Sequence, residues 1–150
     1  MEDIVWNAMD FGLHNHEILI SSAKARPLSP QEDGEFVAFV RKLHSKGASS
    51  IGWGGEALRH PLVQELKGKA QDCDLHLARA TGYLNLDPNE LAWVGWHDQW
   101  EMVEIEVGTL LDYSIPALFV GYGMVVLGVN RDWLIEYKFD DVLYAARIVK

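Results

Sequence analysis

The chain has one cysteine, Cys73, and not a single lysine or arginine between Arg79 and Arg131. One cysteine excludes an internal disulfide and fits a reducing compartment. The longest stretch without a charge, Tyr113 to Asn130, is 18 residues, at the lower limit for a membrane helix. Ser114, Pro116 and three glycines interrupt it and no basic cluster flanks it, so paired buried strands are expected there and a membrane span is not. The opening residues, MEDIVWNAMDFG, lack a basic start followed by an apolar core. No secretory leader is expected, and a cytoplasmic location follows.

Signature motifs are missing as well. GWGG at 52–55 lacks the Lys-Ser/Thr ending of a phosphate loop, and no serine stands in a nucleophile elbow. Cys73 lies between Asp72 and Asp74, which oppose thiolate formation and disfavour a nucleophilic role.

The missing bases shape the charge. Residues 1–79 hold 11 acids and 9 bases, and residues 131–150 hold 4 of each. Most of the net −9 therefore sits between them, on Asp87, Glu90, Asp98, Glu101, Glu104, Glu106 and Asp112. Such a field repels nucleic acid, whose affinity comes from lysine and arginine, and speeds the approach of cationic partners. The plainer role of surface acids is solubility.

What is present describes an ordinary globular chain. It has 150 residues, 49% of them hydrophobic and 23% charged. A chain of that size buries roughly 68–70% of its unfolded surface. With no repeat, linker or low-complexity tract, one domain spanning 1–150 is expected.

His16 to Ser22 (HEILISS) reads as a short strand. Ser29, Pro30 and Glu32 form a capping-box signature, followed by Phe36, Phe39, Val40 and Leu43 on one helical face, with Gly47 as the closing cap. A second helix is expected from Pro61 through Leu62, Leu66 and Ala70 toward Leu77. Asp87, Pro88 and Glu90 repeat the capping signal, so a third helix is expected to carry Trp93, Trp96 and Trp100 at i, i+3 and i+7.

From Glu101 the period becomes two. Val103, Ile105 and Val107 take one side and Glu104 and Glu106 the other; Pro116 to Gly128 splits at Gly121–Gly123 into two strands. Trp133, Ile135, Tyr137 and Phe139 point inward, and Glu136 and Lys138 outward. Val142, Leu143, Ala146 and Val149 return to helical spacing. The expected class is α+β: a helical N-terminal two-thirds, an antiparallel β-meander over about residues 101–139, and a C-terminal helix.

Few side chains suggest chemistry. On a strand, His14 and His16 would point the same way and could share a metal with His97, Glu101 or His60, but the carboxylate spacing of a metal-binding barrel is missing. Two surface histidines are the plainer explanation, so neither a metal nor another cofactor is expected. His97, beside the tryptophans, has the makings of a general base or of an ordinary boundary residue.

Trp93 is expected in the core, and Trp96 or Trp100 at the surface among Asp98, Glu101, Glu104 and Glu106. Aromatic rings set among carboxylates suit cationic groups. The leading expectation is thus a non-catalytic acidic binding module that neutralises a basic protein partner. Its profile of small size, acidity and no catalytic motif is that of an inhibitor or immunity-type protein. The alternatives are a small metal-dependent enzyme using His14 and His16, and an assembly subunit whose aromatic face forms a homo-oligomer interface.

Overall fold

The computed structural model describes residues 8–44, 50–65, 73–97, 100–121, 123–138 and 142–149. Among them, seven strands form one antiparallel sheet in the order β1-β4-β3-β5-β6-β7-β2. The strands are β1 (Arg26–Pro27), β2 (Leu58–Glu65), β3 (Leu91–Trp96), β4 (Val103–Glu106), β5 (Met124–Gly128), β6 (Trp133–Lys138) and β7 (Val142–Ile148). The helices are α1 (Ala8–Ser21), α2 (Pro30–Lys42), α3 (Cys73–Tyr83), α4 (Val107–Asp112) and α5 (Ser114–Leu118). The class is α+β, but the expected arrangement is overturned. Helices do not fill the N-terminal two-thirds, and the sheet is not confined to residues 101–139.

Five corrections account for the difference. His16 to Ser22 does not form a strand, because α1 runs through Ser21. The helix expected from Pro61 is β2, with Leu66 and Ala70 outside the described residues and Leu77 on α3. The tryptophan helix is β3, hydrogen bonded to β4 on one side and β5 on the other. The C-terminal helix is β7, which pairs with both β6 and β2. Pro116 to Leu118 also departs from expectation: it belongs to α5, and only Met124–Gly128 is a strand.

The physical reason is that both sheet faces are covered. One core holds Ala92, Val94, Trp96, Val103, Ile105, Val126, Trp133 and Ile135 with residues of α1, α3, α4 and α5. The other holds Trp93, Val125, Leu127, Leu134 and Ala146 with Phe36 of α2 and with Ile51 and Trp53. Every residue of β5 is buried, as are five of six in β3. A strand buried on both faces loses its alternating pattern and reads like a buried helix.

α2 forms as its sequence dictates. The Glu32 amide donates to Ser29 Oγ at 3.2 Å and the Ser29 amide to Glu32 Oε1 at 2.9 Å. Pro30 starts the helix, and Arg41 and Lys42 complement its last turn. It ends at Lys42 with Leu43 as cap; Gly47 lies outside the described residues. α3 is closed by Asn85 at φ 54, with amides of Asn85 and Leu86 donating to Gly82 and Thr81 carbonyls.

Candidate functional site

β3 and β4 run side by side, and their two ends hold different chemistry. Trp96 is 5% exposed, and its indole N–H donates to the Ala117 carbonyl at 2.8 Å, so the ring belongs to the core. Trp100 is half-buried and stacks on His16 at 5.9 Å between centroids. Glu101 is exposed at the same end, and its carbonyl oxygen lies 2.7 Å from His16 Nε2. Glu104 sits mid-strand and is engaged internally, whereas Glu106 is exposed at the far end of β4. Asp98 lies outside the described residues. Trp96, Trp100, Glu101, Glu104 and Glu106 therefore do not form one continuous patch.

Several acids that looked like free surface charge are acceptors for buried indoles. Trp53 donates to Glu136 Oε1 at 2.7 Å, Trp93 to Glu104 Oε1 at 3.2 Å and Trp133 to Glu90 Oε1 at 2.9 Å. A buried indole needs a partner for its N–H, and a carboxylate makes a strong one. Glu104 also meets Arg26 at 3.1 Å. Trp93 in turn carries the Arg131 guanidinium 5.1 Å from its ring centroid. Part of the acidic excess is thus structural.

Two of the acids that remain exposed, Asp87 and Glu106, lie at the same end of the sheet. The Val107 amide donates to the Glu90 carbonyl at 2.9 Å and the Gly108 amide to the Pro88 carbonyl at 2.8 Å. These bonds tie the Asp87–Glu90 turn to the start of α4. Asp87 and Glu106 are exposed there, Asp112 is exposed at the last residue of α4, and none of the three makes an ion pair among the described residues. Leu91, 41% exposed, is the cross-strand partner of Glu106, and Ile115, 46% exposed, follows three residues after Asp112.

The opposite end holds a histidine–carboxylate pair. His97 Nε2 lies 3.0 Å from Glu136 Oε2; the imidazole is 42% exposed and the carboxylate 1%. A carboxylate facing Nε2 places the proton on that nitrogen and leaves Nδ1 as the basic one. His97 lines a cleft of about 190 Å³ with Phe36, Val40, His44, Ser50 and Met102. Gly123 makes room for the ring: its φ is 69°, and a Cβ there would lie 2.2 Å from His97 Cδ2.

The histidines of the metal expectation are separated. His14 and His16 lie on α1, where residues two apart point to nearly opposite sides, about 200° apart. His14 is exposed and His16 buried. Among the described residues no three histidine, cysteine, aspartate or glutamate side chains are grouped as a metal site needs, and no helix is long and apolar enough to cross a membrane.

Sequence reasoning missed Glu136, which alternates with Ile135 and Tyr137 and so read as outward-facing. Nothing in its own strand signals burial. The available hint was Trp53 within a glycine-rich turn, whose indole N–H needed an acceptor. Compared with known proteins, the chain matches no family model and no curated protein.

Proposed function

We propose that this protein is a non-catalytic binding module that captures a cationic protein partner through the acidic end at Asp87 and Glu106, together with exposed Asp112 on α4. The observation that carries this reading is the pairing of exposed Leu91 with Glu106 across β3 and β4, beside acids that have no ion-pair partner among the described residues. An apolar contact ringed by charge of one sign is the composition of a docking patch: the apolar side chains supply burial and the acids supply steering and specificity. An inhibitor or immunity-type role against a basic target fits that chemistry. The test is co-purification with the charge-reversed variant Asp87→Lys/Glu106→Lys/Asp112→Lys beside the unaltered protein. A partner held by the unaltered protein and lost by a folded triple variant supports the reading; equal retention rejects it.

A second reading is favoured by the His97–Glu136 pair. A half-exposed imidazole held by a buried carboxylate at the mouth of a cleft is the arrangement of a general base. On that reading His97 Nδ1 accepts a proton and Glu136 holds the ring in position. Any hydrolytic or proton-transfer activity found in the protein should then disappear in His97→Gln.

A further inference from the structure

Arg59 and Arg147 are cross-strand partners on β2 and β7, at the end of these strands away from the β6–β7 turn. Like charges directly opposite one another on a sheet are destabilising. Arg147 is partly compensated: its guanidinium lies 3.6 Å from Asp132 Oδ2 and donates to the Leu84 carbonyl. Arg59 is exposed and has no carboxylate partner among the described residues. Among the described residues, the repulsion thus has no internal counter-charge for one of its members, although the chain is acidic overall.

Three further observations fall on the same place. Both arginines line a cavity of about 600 Å³ together with His60, Tyr83 and Asp132, a size that suits a small-molecule ligand. The other carboxylate oxygen of Asp132, Oδ1, is buried and receives no hydrogen bond among the described residues. A buried acceptor without a donor carries an uncompensated desolvation penalty. His60 is held in the left-handed region at φ 44, uncommon for a residue with a side chain, and its carbonyl accepts the Tyr83 hydroxyl.

We propose that this cavity binds a phosphorylated small molecule, with the phosphate between Arg59 and Arg147 and the Asp132 carboxylate turning so that Oδ1 accepts from an adjacent hydroxyl of the ligand. A phosphate offers enough oxygens to engage two guanidinium forks, whereas a carboxylate is satisfied by one. It removes the repulsion between the arginines, and the hydroxyl supplies the donor that Oδ1 lacks. Inorganic phosphate has only its own P–OH to offer Oδ1, held beside the arginines, whereas a sugar phosphate reaches it with a separate hydroxyl, so a sugar phosphate should bind more tightly. This site is independent of the acidic end and of the His97 cleft.

Titration calorimetry with inorganic phosphate, ribose 5-phosphate and a nucleoside 5′-monophosphate tests it. The expected result is saturable 1:1 binding of ribose 5-phosphate, about tenfold tighter than inorganic phosphate, for one satisfied hydrogen bond. A further gain with the nucleotide would assign a base to the rest of the cavity, and equal affinity would assign a sugar phosphate alone. Arg59→Gln should weaken binding about tenfold or more and Arg59→Lys less, because lysine keeps the charge but not the fork. Arg59 is exposed, so both variants should fold, Arg59→Lys unfolding at the temperature of the unaltered protein and Arg59→Gln at that temperature or slightly above it, because it relieves the repulsion with Arg147. Asp132→Asn should abolish the preference for the sugar phosphate over inorganic phosphate. No saturable binding of any probe up to about 10 mM, or affinity unchanged in a folded Arg59→Gln variant, would overturn the proposal.

Discussion

The indole N–H of Trp53 donates to Oε1 of Glu136 at 2.7 Å, joining a glycine-rich turn to the middle of the sheet across 83 positions of sequence. Trp53 also stacks on Tyr144 of β7 at 5.0 Å between centroids. The turn therefore closes over β6 and β7, and the carboxylate beneath it serves both Trp53 and His97.

Removing that carboxylate should be among the costlier single changes. Glu136→Ala leaves a buried indole N–H without its acceptor and releases His97, a loss of about 3 kcal/mol. Glu136→Gln keeps an oxygen for Trp53 and should lose less. Urea unfolding with an unchanged m-value measures both. Midpoints equal to that of the unaltered protein would mean that Glu136 does not hold the turn.

Two glycines are required by neighbouring side chains. A Cβ on Gly123 would meet His97, and one on Gly128 would lie 2.4 Å from Trp133 Nε1, the atom that donates to Glu90. Gly123→Ala adds the strain of a left-handed alanine, about 1–2 kcal/mol, and should displace the His97 ring from Glu136. Gly128→Ala should break the Trp133–Glu90 bond. Tryptophan fluorescence should shift in Gly128→Ala, and the His97 imidazole resonances in Gly123→Ala. Spectra unchanged in both variants would contradict these contacts.

The sequence was legible where an element's signals are local. Ser29, Pro30 and Glu32 specify the start of α2 through bonds within four residues, and the alternation of Val103, Glu104, Ile105 and Glu106 marks β4 because Glu106 reaches solvent. It misled where tertiary burial overrides local pattern. Asp87 caps a turn, accepting the Asn89 amide on its side chain at 2.8 Å, and the chain then enters a strand. Trp93 and Trp96 suit a helical wheel, yet they lie on opposite faces of a sheet with two cores. The segregation of charge was visible in advance. Which acids would be consumed by indoles was not, because Trp133 and Glu90 are 43 positions apart and meet only once the chain between them has folded.

Acid should loosen the attachment of α2 through one exposed pair. Hydrogen bonding to Arg26 holds the Glu32 carboxyl down from 4.5 to about 2. The contribution is fully present above pH 4.5, where the unfolded chain is already ionised, and is lost as pH falls toward about 2. Arg26→Gln should therefore flatten the decline of the urea midpoint across that window. An identical slope in the variant would show that the pair contributes nothing.

The acidic end is tested most directly by hydrogen exchange of the protein alone and bound to a basic protein captured by co-purification. Exchange should slow at the amides of residues 87–91 and 106–112, and the protection should be absent with Asp87→Lys/Glu106→Lys/Asp112→Lys. Because exposed charges are screened by salt, association should also slow steeply with ionic strength. Protection confined to the His97 cleft, with residues 87–91 and 106–112 exchanging at their free rates, would contradict the account.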